Sequence, residues 1–503
     1  MTQKLVLFAL ILFCAQQLTA QSITAKVIDS QSGEGLPYAN IVIDKENSIT
    51  NAEGNFTIQE KHSAGNPEIT VSYLGYTTMR LSVAQLKDRK YIIKLTAGTF
   101  ELETVHISNT KPNADSIMAG VRRNLAHNYK LVTDPSKNML FYREGITFKP
   151  VQVNAEITKS TGFSKQALKT TNKELKEFTA NLVSHPPQEF TEMLCNYYTE
   201  TKKVNDKPVF HSKFEVIKAI KLKDKNRAVS LTEIQQLASG ILFQHLDSTK
   251  YYRIKSGLFS SRDTLPLGKH ANKKTTKKSR IELTSAKSDV TGFMYENTLL
   301  HTANLNFITN RDLYDYMYQG AVQSGNQYVY VLKFKPKKSK AKYTGTLYIS
   351  DNDYAVIKAE YELADGKKLS GINLKFLLGI KQAENLNRGT VLFKERENGA
   401  GYYLQYAAEE TGEYIYINRP LKFIEITDDD KDVAAFDLKV ETNILNKREY
   451  FSMSQSAITE TAFDTAKEAD FKYTFLDSYD PNLWKEYSAI EPLEEMKRFK
   501  TLE

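Results

Sequence analysis

Catalysis needs side chains that can attack a substrate, move protons or hold a metal, and this chain offers few of them in useful spacing. It holds eight histidines and two cysteines. A zinc carboxypeptidase site needs His-x-x-Glu with a later His, yet none of the eight histidines has Glu at the third following position and no His-Glu-x-x-His occurs. His185 and His211 each have a glutamate four residues on, Glu189 and Glu215. Pro186 and Pro187 keep the first pair off a shared helical turn, and the second reads as a surface pair. Cys195 stands beside Asn196, Tyr197 and Tyr198 in an expected strand, with nothing near it in sequence to lower its pKa, so it reads as a buried thiol rather than a nucleophile. Neither a Gly-x-Ser-x-Gly elbow nor a Gly-x-x-x-x-Gly-Lys loop is present. The sequence therefore assigns no catalytic, cofactor-binding or metal-binding residue and calls for no cofactor. A site assembled from distant residues stays open.

The elements around these residues indicate export. Lys4 precedes an apolar run from Leu5 to Phe13, and Ala20 precedes Gln21, which reads as a signal peptide over residues 1–20 cleaved after Ala20. Acylation at Cys14 is disfavoured because Phe13, not a small residue, precedes it. Beyond this segment no apolar run is long enough for a transmembrane helix. With 41% hydrophobic and 25% charged residues over 503 positions, the chain can build a core and is expected to form two or three domains. Removing Lys4 takes the net charge from +8 to +7. Cleavage would leave Cys195 as the only cysteine, so stability must come from packing rather than from an internal disulfide.

Between residues 21 and 107, short alternating segments are separated by turn residues. They are Ile23–Asp29, Gly35-Leu-Pro-Tyr-Ala-Asn-Ile-Val-Ile43, Asn51-Ala-Glu-Gly-Asn-Phe-Thr-Ile58, Ile69-Thr-Val-Ser-Tyr-Leu-Gly-Tyr76 and Tyr91-Ile-Ile-Lys-Leu95. Gly33 and Gly35 flank a turn at Glu34, Pro37 fixes a strand entry, and Glu53-Gly54 reads as a hairpin turn between Ile49 and Phe56. Val27, Ile41, Phe56, Val71 and Ile93 are expected to point inward. This run resembles the carboxypeptidase regulatory-like domain, a seven-stranded prealbumin-like sandwich found at the head of envelope proteins in Bacteroidota. The resemblance implies an accessory module with no peptidase chemistry.

The same module precedes TonB-dependent receptors, and Leu102-Glu-Thr-Val-His-Ile107 is similar to their connector. About 396 residues follow Ile107, too few for a plug and a large barrel, and Lys497-Arg-Phe-Lys500 is not a terminal aromatic strand, so a full receptor is not expected. A helical linker is expected over 108–135. Its helix runs from Ala114 to Lys130, capped by Asp115 or Ser116, with Ile117, Met118, Val121 and Leu125 in its apolar stripe. This helix with Phe141-Tyr-Arg-Glu144, and the tail Asp480-Pro-Asn-Leu-Trp-Lys-Glu-Tyr487 with Ile490-Glu-Pro-Leu493, resemble a group of Bacteroidota proteins headed by the same sandwich.

Residues 136–300 read as a mixed α/β region with helices over Asn172–Leu182 and Leu231–Gln244. Residues 301–455 read as an antiparallel β-rich region, and 456–503 as a C-terminal tail. The β-rich region alternates over Gln327–Phe334, Thr344–Ser350, Ala355–Tyr361, Gly389–Lys394, Tyr402–Ala407, Leu421–Ile426 and Ala434–Asn443. A meander apolar on one face and polar on the other is expected, with Leu347, Ile349, Val356, Leu392 and Leu404 lining the apolar face. The phrase from Gly345 to Ala355 resembles the strand-turn-strand of half-barrel lipoprotein carriers of the LolA/LolB kind. The fold class is thus mainly β with α+β elements: an N-terminal seven-stranded β-sandwich, a helix linker and a large antiparallel-sheet body.

Two basic runs, Lys269–Arg280 and Lys333–Lys342, read as a solvated loop and a hairpin tip, or as contacts to anionic lipid headgroups. The functional expectation is a non-enzymatic protein of the periplasm or outer membrane, a binding or scaffold component whose partner is an envelope protein or outer-membrane lipid. Nucleic acid does not suit an exported chain. The alternatives are an envelope hydrolase with its site in the central region, and a lipid-binding half-barrel carrier.

Overall fold

The computed structural model describes residues 23–63, 66–98, 112–130, 132–160, 164–223, 241, 251–256, 259–260, 265–266, 278–299, 305–324, 327–397, 399–426, 431–484 and 486–500. The expected signal peptide, the Leu102–Ile107 connector, nearly all of the helix expected over 231–244 and most of the basic run 269–280 lie outside the described residues.

Seven strands form the N-terminal unit: β1 (Ile23–Asp29), β2 (Asn40–Ile43), β3 (Glu46–Ile49), β4 (Asn55–Ile58), β5 (Glu68–Ser72), β6 (Met79–Ser82) and β7 (Ile92–Leu95). They make two sheets, ordered β4-β1-β7 and β3-β2-β5-β6, with β7 parallel to β1. The strands other than β3 send side chains into the space between the sheets, while Ile49 of β3 packs on the body. Val27, Ile41, Phe56, Val71 and Ile93 are all fully buried in one cluster that holds only sandwich residues.

The Glu53-Gly54 turn departs from expectation. The strands it joins, β3 and β4, lie in different sheets, so it crosses the sandwich instead of closing a hairpin. Asn51 decides this, because its side-chain oxygen accepts from the N–H groups of both Glu53 and Asn55 and folds the chain back locally. Gly54 has φ +84°, and a Cβ on Gly35 would strike the Glu53 carbonyl oxygen at 2.1 Å. Of the two glycines read as a turn, Gly33 thus supplies positive φ (+73°) and Gly35 close approach.

The helix Ala114–Asn128 follows, with Asn113 rather than Asp115 or Ser116 at its N-cap; the Asn113 side chain accepts from the Ser116 N–H. The body strands are β8 (Ser136–Ser160), β9 (Gln188–Val204), β10 (Lys207–Lys223), β11 (Tyr251–Ser256), β12 (Phe259–Ser260), β13 (Leu265–Pro266), β14 (Tyr314–Ser324) and β15 (Gln327–Pro336). After them come β16 (Tyr343–Ser350), β17 (Val356–Leu363), β18 (Gly371–Leu374), β19 (Ile380–Glu395), β20 (Tyr402–Glu425), β21 (Lys431–Ala457) and β22 (Thr474–Leu476). They form one 15-stranded sheet whose main path is β14-β15-β16-β17-β19-β20-β21-β8-β9-β10-β22, with β11 branching off β20 to pair β12 and β13, and β18 branching off β19. Strands from residues 136–223 and from 314–457 therefore share a single sheet.

The segments Tyr402–Ala407 and Leu421–Ile426, read as separate strands, belong to one 24-residue strand, β20. Pro420 does not break it. It falls between Ile417, where pairing with β19 stops, and Lys422, where pairing with β11 begins, so β20 has a described neighbour there on one side only.

The expectation of one apolar and one polar face is also corrected, because both faces carry core. On one face Leu347, Ile349, Val356 and Leu404 are buried against the helices Ala114–Asn128 and Lys278–Glu296 and the segment 305–314. Leu392 does not join them. Regular alternation along β19 puts Val391 and Phe393 on that face and Leu392 on the other, while an extra residue in β20, Gln405, sets Leu404 opposite Phe393 and Tyr406 opposite Leu392. The opposite face gathers Phe141, Phe190, Leu194, Tyr406 and Phe451 under Ile49 of the sandwich and Trp484, Ile490, Met496 and Phe499 of the tail. The helix Lys165–Ser184 contains the expected 172–182 helix and packs Leu175 on Ile157 and Phe436.

Candidate functional site

The residues that the sequence offered for chemistry remain apart. Cys195 is fully buried on β9, 3.7 Å from the Leu140 carbonyl oxygen, and burial alone drives its thiol pKa well up, keeping it protonated. His185 contacts the Ser184 hydroxyl at 2.9 Å, while Glu189 pairs with Lys221 at 3.0 Å. His211 is exposed on β10, and Glu215 accepts from Asn196 and Tyr198, both at 2.8 Å. Among the described residues no group of three or more His, Cys, Asp or Glu side chains is placed to hold a metal ion.

The structure instead centres on Arg143, which the sequence marked only as part of a strand. Alternation along β8 sends Tyr142 into the helix-covered core and Phe141 and Arg143 to the opposite face. There Arg143 is buried, its guanidinium 5.3 Å from the Phe141 ring centroid. Its Nε donates to Glu192 at 2.8 Å, one terminal nitrogen to Glu449 at 3.0 Å and the Glu491 carbonyl at 3.3 Å, and the other to the Ile490 carbonyl at 2.6 Å. Glu192 also accepts from the Trp484 indole at 2.6 Å, and Glu449 from the Tyr406 hydroxyl at 2.9 Å. Burial opposes the guanidinium's charge, but the two carboxylates outweigh it and hold Arg143 ionised. The signal in the sequence was a charged residue sharing the parity of the apolar Met139 and Phe141.

This cluster fastens the tail, and the tail fastens the sandwich. Asn51 donates to the Pro492 carbonyl at 3.2 Å, Gln59 to Ser488 at 2.8 Å, Thr57 to Glu491, and the Glu494 N–H to Glu53 at 3.2 Å. The sandwich also reaches the sheet directly. Tyr38, held at φ +62°, lays its ring 4.6 Å from that of Tyr406, and Lys394 donates to Asn47 at 2.9 Å. Beside these contacts lies a cleft of about 490 Å³, lined by Tyr38 and Ala52 of the sandwich, Glu360, Arg388 and Lys447 of the sheet, and Leu493 of the tail. Its charges are largely paired, Arg388 with Glu410 at 2.5 Å and Lys447 with Glu495 at 3.1 Å. The cleft's exposed lining is more apolar than polar, and the charged side chains around it are held in these pairs.

A family model matches residues 23–107, the span that holds the seven strands. These residues are a CarboxypepD_reg-like domain. No curated protein matches the sequence. Among solved structures, a DUF1329 family protein from Desulfovibrio piger shares 7% identity over 66% of this chain and 93% of its own, with a TM-score of 0.21. A LolA superfamily protein from Nitrosomonas europaea shares 9% identity over 71% of this chain and 99% of its own, with a TM-score of 0.18. Both likenesses are too distant to bear on function, which rests on the residues. In those terms the CarboxypepD_reg-like domain is held in place by the tail and by the sheet.

Proposed function

We propose that the chain is a non-enzymatic binding or scaffold component of the cell envelope, exported to the periplasm or outer membrane, with the CarboxypepD_reg-like domain as its accessory interaction module. One observation carries this reading. The sheet face that a lipid carrier would leave open is filled by the protein's own side chains. Phe307 stacks on Phe334 with centroids 4.6 Å apart and planes at 8°, and the Tyr129 hydroxyl donates to the Val356 carbonyl at 2.8 Å. Leu347, Ile349 and Val356 are fully buried beneath this cover. No helix among the described residues is long and apolar enough to cross a membrane. A partner would then meet this cleft or the outer strands β6 and β7 of the sandwich.

Native mass spectrometry of protein purified from its own envelope tests the reading. A carrier buries an acyl chain at about 0.8 kcal/mol per CH₂ and would copurify with stoichiometric lipid. The scaffold is expected to fly without one. A stoichiometric lipid that is lost from a folded Leu347→Asp variant would overturn the proposal.

A further inference from the structure

The hairpin between β18 and β19 ends in a one-turn helix, Lys375–Leu378, that packs almost none of its apolar side chains. Relative exposures are 106% for Phe376, 76% for Leu377, 57% for Ile372 and 39% for Leu374. Folded monomers seldom leave four large apolar side chains together in water without a use for them. The tip is nevertheless firmly built. Gly379 closes the turn at φ +65°, and its carbonyl accepts from the Asn418 N–H at 2.7 Å, an approach so close that a Cβ there would meet the Asn418 oxygen at 2.1 Å.

Behind the tip an aliphatic row continues across the sheet. Leu374 lies opposite Ile380, Ile380 opposite Ile417, Ile417 opposite Val440 and Val440 opposite Val153, all partly exposed or more. The charge beside it has one sign. Between Asp365 and Glu384 stand Lys367, Lys368, Lys375 and Lys381 and no acidic residue. Lys375 and Lys381 lie over the rings of Tyr416 and Tyr414, at 4.0 and 5.1 Å, on the sheet face away from the aliphatic row. The nearest acids on the neighbouring strands, Glu413 and Glu441, accept from Gln382 and Tyr414.

We infer that this tip is a membrane-surface anchor, with Phe376 and Leu377 entering the acyl boundary of an anionic bilayer while the flanking lysines stay among its headgroups. A convex tip of this kind fits a bilayer better than a protein partner. None of its residues lines the cleft described above, and four side chains fall short of the roughly 800 Å² per partner buried in a stable protein pair. Long lysine stems can lie along apolar surface with their ammonium groups in the headgroup layer, where each contributes on the order of 1 kcal/mol.

The test is sedimentation of the purified full chain with vesicles of phosphatidylcholine, alone or mixed with phosphatidylglycerol, alongside F376D/L377D and K375Q/K381Q. All three proteins are first matched by circular dichroism and by the emission of Trp484. The chain is expected to bind the mixed vesicles and not the neutral ones. F376D/L377D should bind at least roughly tenfold more weakly, and K375Q/K381Q should lose most of the preference for the anionic lipid. With the Trp484 signal subtracted, F376W should shift its emission to the blue on adding mixed vesicles. Failure to bind them, or binding that F376D/L377D leaves unchanged, would overturn the inference. So would a dimer of the wild-type chain in size-exclusion chromatography that F376D/L377D dissolves, since a second copy would then be the occupant.

Discussion

Replacing Arg143 with Ala should loosen the C-terminal tail before it unfolds the sheet. The substitution removes four hydrogen bonds and strands Glu192 and Glu449, both buried, without a counter-ion. Deleting one partner of a buried ion pair costs about 3–5 kcal/mol, because the remaining charge stays desolvated. Apolar burial opposes release. Trp484, Ile490, Met496 and Phe499 of the tail are all buried, and each full burial is worth roughly 1.5–3 kcal/mol. The variant should therefore keep its tail docked in buffer and lose it early in denaturant. Trp484 is the only tryptophan in the chain, and its indole donates to Glu192, so its fluorescence reports the affected contact directly. In a urea titration its emission is expected to shift red well before far-ultraviolet circular dichroism records loss of the sheet. Arg143→Lys should recover little of this, since one ammonium cannot span two carboxylates and two carbonyls. Coincident transitions at the wild-type midpoint, or full recovery by lysine, would refute the reasoning.

Phe56→Ala should cost about 3–5 kcal/mol within the CarboxypepD_reg-like domain, whose core is self-contained, and thermal melting of an expressed 22–107 fragment checks both the loss and the fragment's ability to fold. Cys195 should resist a thiol reagent in the native protein and react once urea unfolds β9, whereas rapid native labelling would contradict its burial. Burial raises the pKa of Glu144, with Asp289 adding to the shift, so the folded state binds more protons than the unfolded one just above the usual glutamate range. This contribution makes stability fall as pH rises through that window. Glu144→Gln keeps an acceptor for Asn446 and should flatten this part of a pH series of urea midpoints while raising stability at neutral pH.

The legible parts of the fold were those governed by local rules. In the sandwich, period-two alternation and turn chemistry act over a dozen residues, and the five inward positions read from them are all buried. The helix at Ala114 showed its stripe, although its cap did not, because Asn113 stands outside the apolar pattern that marks the start. Long-range pairing was hidden. Nothing local indicates that Asn51 will bond Pro492 or that Arg143 will meet Ile490, hundreds of positions away. The single-faced expectation for the sheet failed for the same reason, since the polar-looking face is buried only once the sandwich and tail arrive. The pair Leu392 and Leu404 shows a smaller version of this limit, because the extra residue Gln405 in β20 sets Leu404 opposite Phe393 and leaves Leu392 opposite Tyr406 on the other face.

The tail explains why the sandwich can act as a fixed module and also limits where it can act. Most of the contacts that secure it come from Tyr38, Asn47, Asn51, Glu53, Thr57 and Gln59, on or beside β2, β3 and β4, and Tyr73 after β5 adds one by accepting from Lys358 at 3.3 Å. Those edges are committed to the body. At the other side, β7 and β6 are the terminal strands of the two sheets among the described residues, with Ile92 exposed on β7 and Arg80 exposed on β6. Their outward charges, Lys94 and Arg80, guard against indiscriminate strand addition without covering the backbone groups. A partner recognised by backbone pairing would thus approach along β6 or β7, while one recognised by an apolar side chain would enter the cleft beside Tyr38 and Leu493. Because the sandwich is clamped at its opposite edge, either approach meets a surface whose orientation to the sheet is already set, and little ordering cost remains to oppose binding.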